Sequence, residues 1–396
     1  MLLDVRNTQN YLDVAVSLSK ELSQSAVEHH AKAGIPKYEI ERLRESGLLP
    51  LVVPKEYGGV GATWVEALKI VQELSKADSS IGQLYGNHLN LTALGHISGT
   101  PEQKESYYQL TAGNNWFWAD AINTRDIRLA IIPEGESFRV NGVIHSSTGV
   151  AAADRRVFSA WREGVEEPFF FVIPEEREGV SSNHHWDNIG QCQTDSVSFT
   201  FHNVLVEKDE ILGPPNPRDA AFVTFFDILA HLTKTYVYLG IAKGAFVNAQ
   251  EYLKTLSQAG RTSGVESETP DHYIMPHYSD LWIELKAAIE QADQAAELVQ
   301  AAWEKELALT HEERGEVAIA VFAAKVFATR IGLDITHRLF ELMGKCATGT
   351  TYSFDRYMRD LRTFGGVSMP WKGAPRHWKL TYLPLELNSM LKSSGV

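Results

Sequence analysis

Few of the residues in this chain that could do chemistry stand at spacings that make a site by themselves. Cys192 and Cys346, the only two cysteines, are too far apart in sequence for a CxxC metal pair, and no metal is expected. Gly58-Gly59-Val60-Gly61 does not follow a strand, as a dinucleotide fingerprint must. The run from Gly344 to Thr350 has no lysine at the P-loop position, so its glycines read as turns and helix stops. His145, His184, His185 and His202 carry no spacing signal and read as surface or structural. Trp116, Trp118 and Trp186 lie on β-rich runs, where an aromatic lines a pocket or fills a core.

Composition narrows the partners. The chain has 396 residues, 44% of them hydrophobic, and a net charge of -13. Such an acidic balance argues against nucleic acid, whose phosphates need clustered Lys and Arg. Asp4, Arg6 and Asp13 interrupt the apolar residues of the N-terminus, so a signal peptide is not expected. No uncharged apolar run approaches the ~18 residues of a membrane span. A cytoplasmic protein acting on a small molecule is the expectation.

The elements that must position a site follow from periodicity. Leu12, Val16, Leu18 and Leu22 recur at helical spacing, and PKYEIERLRESG carries Pro-in, Gly-out punctuation. Thr63 with Glu66 forms a capping-box pattern before the next helix. From Asn114 the pattern changes to short β-rich runs (FRVNGVIHSSTGV, RRVFSAW, PFFFVIP, VSFTFHNVLV), read as an antiparallel sheet ending at ILGPPNPRD. Helical pattern resumes over 221–256. Pro270 and Pro276 mark a connection, and a second helix is expected from about Tyr278 to Leu309. Thr310 and Glu313 cap a third that stops at Gly344. The expected fold is α+β, in three domains: helical over 1–113, β over 114–213, a helical bundle over 214–396. Val317, Ile319, Val321, Phe322, Val326, Phe327, Ile331 and Leu333 cover more than one face of that third helix, which predicts a homotetramer, or at least a homodimer, built on the bundle.

That order of elements, with LRESGLLPLVVPKEYGG, VNGVIHSSTG, IGQCQTDSVSFTFHNVLVEKDEILG and FDRYMRDLRT, resembles the acyl-CoA dehydrogenase superfamily. Within it LYGNHLNL, QTDS, VYLGIAKGA and ERGE resemble the dibenzothiophene monooxygenase branch. The resemblance implies a flavin between the β domain and the bundle, with FMN favoured over FAD.

A dehydrogenase of this family needs a carboxylate base beside the substrate carbon. In the commonest family pattern it is a glutamate about eight residues beyond the RD pair. Here Arg359-Asp360 is followed by LRTFGGVSMPWKG, with Ser368 near that place and no acid. The second family location, on the first bundle helix, reads FFDILAHLTKTYVYLG, with His231 where an arginine often sits and Asp227 a turn too early. An oxygenase instead needs hydrogen-bonding side chains in a dry site. The resemblance places His88 facing the flavin ring, Thr148 beside flavin N5, Asp120 on an active-site asparagine, and Ser146 where an aromatic residue stands. Gln258 replaces the arginine that helps hold the flavin phosphate, leaving Arg261 as the nearby substitute and Gly344 as a further cofactor-binding candidate. A histidine of the branch's C-terminal segment is absent from TFGGVSMPWK. The expected function is a monooxygenase using reduced flavin and O2 with a separate reductase. The alternatives are an acyl-CoA dehydrogenase or oxidase with a displaced base, or a degenerate flavoprotein without catalysis.

Overall fold

The computed structural model describes residues 8–124, 126–145, 147–165, 168–183, 186–213, 220–262 and 269–366. Five helices lead: α1 (Thr8–Lys32), α2 (Lys37–Glu45), α3 (Trp64–Ala77), α4 (Ser79–Ser98) and α5 (Pro101–Asn114). The Thr63–Glu66 capping box forms, Glu66 N–H donating to Thr63 Oγ1 at 3.2 Å and Thr63 N–H to Glu66 Oε2 at 2.8 Å. Asp78 then starts α4 by accepting the N–H groups of Ser80 and Ile81. Strands follow: β1 (Trp118–Ala121), β2 (Leu129–Glu134), β3 (Ser137–Ile144), β4 (Arg155–Ala160), β5 (Phe169–Pro174), β6 (Val180–Ser182) and β7 (Phe199–Val206).

The strands differ from one antiparallel sheet. They form two sheets, in the orders β1-β4-β5 and β2-β3-β7-β6, and β1 runs parallel to β4. A parallel pair needs a long crossover, and β2 and β3 supply it by forming the second sheet. Aromatic rings of Phe158, Phe171, Phe199 and Phe201 fill the space between the sheets. The expected end of this region at ILGPPNPRD falls partly outside the described residues.

The C-terminal helices are α6 (Phe225–Thr262), α7 (Thr269–Trp303), α8 (His311–Met343) and α9 (Asp355–Gly366). The connection predicted at Pro270 and Pro276 is instead helix. Pro270 sits in the first turn, where its missing N–H has no partner to lose, and Pro276 is carried inside the helix. Thr310 and Glu313 cap α8, and Gly344 stops it at φ 75°. Most apolar residues of α8 are covered within the chain, because α6, α7 and α9 all pack on it; Ile319 alone of the predicted set is widely exposed, at 48%.

Candidate active site

Helix α4 and strand β1 meet at His88. Its Nε2 donates to Leu49 O at 2.8 Å, and its Nδ1 accepts the Trp118 N–H at 3.1 Å. The ring stacks on Phe117 at 5.4 Å between centroids and is fully buried. Burial pushes it down to about 4, so it is neutral at pH 7. A neutral imidazole has one donor and one acceptor, and the backbone takes both. His88 thus ties α4 to the chain before α3 and to β1. Adjacent residues on a helix point about 100° apart, and the neighbour Asn87 faces the sheet instead, its Nδ2 donating to Asp120 Oδ1 at 3.1 Å.

Asp120 also accepts the Ile122 N–H at Oδ2, 3.3 Å. Burial raises its pKa to about 6, with Lys234 acting in the opposite direction. Thr148 lies against it, Thr148 N–H donating to Asp120 O at 2.8 Å. The next residue, Gly149, has φ 69°, and a Cβ there would meet Leu84 Cδ2 at 2.4 Å. Only glycine lets this turn close against α4.

Helix α6 supplies the opposite wall. Asp227, His231 and Lys234 stand at i, i+4 and i+7, one stripe of the helix. Ile228, Leu229 and Leu232 between them are fully buried, while the stripe is accessible. Asn87, Asp120 and Thr148 are likewise partly accessible on otherwise buried elements. Lys234 acts on the charges of both Asp120 and Asp227, so the space between α4, β1 and α6 is the candidate cleft. From α8, Lys325 reaches His231, Nζ to Nδ1 at 2.8 Å. Burial, then the nearby Lys325 and Lys234 charges, push His231 down to about 2. Burial and Lys234 bring Lys325 down to about 7.

At the far end of the chain, the RD pair is structural. Asp360 accepts Gln191 N–H at 2.7 Å and Ser79 Oγ at 2.8 Å, and Arg359 donates to Ile189 O at 2.7 Å. These bonds pin α9 to the loop before β7 and to the start of α4. Ser368 and the rest of the segment beyond α9 lie outside the described residues, as do Ser146 and the side chains of Gln258 and Arg261. Gly344 caps α8 about 28 Å along the helix from Lys325, at 1.5 Å per residue, so it does not join the other candidates around the cleft. No group that could hold a metal ion is found among the described residues.

The cleft's chemistry fits a flavin ring at its sheet side. Thr148 Oγ1 has no hydrogen-bond partner among the described residues, and a hydroxyl both donates and accepts. That suits a ring nitrogen that gains a proton on reduction. Asn87, Asp120, Lys234, Asp227 and Lys325 were not found together by sequence reasoning. The available signal was three polar residues at i, i+4, i+7 in an otherwise apolar helix.

Comparison with known proteins places this architecture. Residues 13–114 match the acyl-CoA dehydrogenase N-terminal domain, and residues 232–368 match its C-terminal domain. The chain belongs to the acyl-CoA dehydrogenase family. A probable FMNH2-dependent monooxygenase, SfnC of Pseudomonas putida, is 38% identical over 353 residues, covering 89% of each chain. A dibenzothiophene monooxygenase of Mycolicibacterium goodii is 38% identical over 367 residues, covering 89% of this chain and 88% of its own. The structure of methanesulfinate monooxygenase MsuC from Pseudomonas fluorescens superposes with a TM-score of 0.88 at 36% identity, over 96% of this chain and 97% of that one. Within its family this protein is a flavin-dependent monooxygenase, as its resemblance to the dibenzothiophene monooxygenase branch implied.

Proposed function

We propose that the cleft binds FMN and uses O2 to oxygenate a small organic molecule, with reduced FMN delivered by a separate reductase. The observation that carries this reading is the unpartnered Thr148 hydroxyl beside Asp120, on the wall opposite the polar stripe of α6. The FMNH2-dependent relative supports the choice of FMN. When bound, reduced FMN supplies two electrons and two protons, so that one oxygen atom leaves as water and the other enters the substrate. Thr148 holds the ring edge. Asn87 fixes the Asp120 carboxylate, and Asp120 keeps the Lys234 ammonium charged by its own negative charge. The fully buried apolar residues of α6 and β1 keep water from the reacting face.

The same reading gives three domains, over 1–113, 114–213 and 214–396, and a cytoplasmic homotetramer built on the bundle. Exposed Trp282 (45%) and Ile283 (63%) on α7 support a covered face there, and the free thiols of Cys192 and Cys346 suit a reducing compartment. No described helix is long and apolar enough to cross a membrane.

The test is oxygenation with labelled O2, using the purified protein, FMN, NADH and a flavin reductase. One labelled atom in the product and one in water is the expected result. Anaerobic bleaching of the bound flavin by an acyl-CoA, without oxygenation, would establish a dehydrogenase instead. A protein that binds no flavin would support the non-catalytic alternative.

A further inference from the structure

Lys325 is 1% exposed on α8, inside the apolar run AVFAAKVFATRIGL. A buried ammonium is costly unless an opposite charge compensates it. Among the described residues the hydrogen-bond partner of Nζ is His231 Nδ1, and no carboxylate lies within 4 Å of it. The one charged group acting on it is Lys234, also positive.

That contact fixes the histidine. When Lys325 is protonated it only donates, so Nδ1 then accepts and the ring proton sits on Nε2. His231 Nε2–H makes no hydrogen bond among the described residues. The ring is held by Phe322 at 4.9 Å between centroids. One turn on, Lys234 makes no hydrogen bond or ion pair among the described residues, although it is partly accessible. The two donors therefore stand together on one stripe, and both face the cleft.

Charged groups stand near these donors. Asp120 and Asp227 are the carboxylates that act on Lys234, and Arg314 acts most strongly among the charges on Asp227. Each Asp120 oxygen also accepts one hydrogen bond, from Asn87 and from the Ile122 N–H.

We infer that the cleft recognises a substrate bearing a compact organic oxyanion (sulfinate, sulfonate or carboxylate), held by Lys234 Nζ and His231 Nε2–H, with Lys325 behind the imidazole orienting it. This rests on the oxygenase reading only for the ligand's being the substrate. A neutral aromatic sulfur compound leaves both donors without a charged acceptor.

Isothermal titration calorimetry tests this on the purified chain with FMN added, using sodium methanesulfinate and sodium acetate as anionic probes and dimethyl sulfone as the neutral one. The expected result is at least about tenfold tighter binding of one anion than of the sulfone. Lys234→Met and Lys325→Met each weaken that anion by about tenfold or more, with sulfone binding unchanged. If circular dichroism shows that Lys325→Met does not fold, His231→Phe and Lys234→Met read the same grip. Equal binding of anion and sulfone, no heat with either anion, or unchanged anion affinity in Lys234→Met overturns the inference. Quenching of FMN fluorescence in the same samples separates the two conclusions. FMN binding without anion preference overturns this inference alone, and anion binding without FMN binding overturns the proposed function and leaves the anion site standing.

Discussion

Replacing His88 tests whether it belongs to the frame or to the chemistry. His88→Ala leaves Leu49 O and Trp118 N–H buried without their partners, at about 1–3 kcal/mol each. It also empties the ring site against Phe117 and Tyr85, adding about 2 kcal/mol. The sum is about 4–8 kcal/mol. At about 2.1 cal/mol/K per residue of unfolding entropy, that lowers Tm by about 5–10 °C for a 396-residue chain. The protonation behaviour gives a second readout. The folded pKa is about 4 and the unfolded value 6.5, so as pH falls the unfolded chain takes the proton first. Stability from this group is complete above pH 6.5 and is lost progressively down to pH 4, by about 3 kcal/mol. His88→Gln keeps a donor and an acceptor but cannot be protonated, so its acid destabilisation is shallower in that window. Calorimetric melts of wild type and both variants between pH 4 and 8 measure these effects. Wild-type stability in His88→Ala, with oxygenation lost and FMN still bound, would refute the structural assignment and return His88 to the reacting face.

Other perturbations probe the frame and the cleft. Gly190→Ala puts a Cβ about 2.3 Å from the Arg359 carbonyl oxygen, so it should detach α9 from the loop before β7; urea unfolding should show a loss of several kcal/mol, on the order of 3. Asp78, raised to about 6 by burial and by Asp360, holds its proton in the folded state between pH 3.8 and 6, so its contribution falls as pH rises through that window. Asp78→Asn keeps the helix cap and should gain on wild type by up to about 3 kcal/mol from pH 4 to pH 6 in denaturant titrations. Thr148→Val preserves shape while removing the hydroxyl; turnover should fall by about tenfold or more at unchanged Tm, and an unaltered rate would exclude Thr148 from the ring edge.

The alternation of helical and β-rich pattern, the capping boxes at Thr63 and Thr310 and the glycine stop at Gly344 were all legible locally. Each depends on residues within a few positions of one another. The family resemblance rested on similarly local runs. Tertiary structure decided the rest. Whether Asn87 or His88 faces the sheet depends on the rotation of α4 against β1, and one residue along a helix turns a side chain by about 100°. That Asp120 lies against Thr148 depends on a bridge across 28 residues of chain, closed by the turn at Gly149. Lys325 and His231 are 94 residues apart and meet because α6 and α8 pack side by side. A histidine's chemistry is set by what its two nitrogens touch, and contact across such separations is a property of packing that local spacing does not encode.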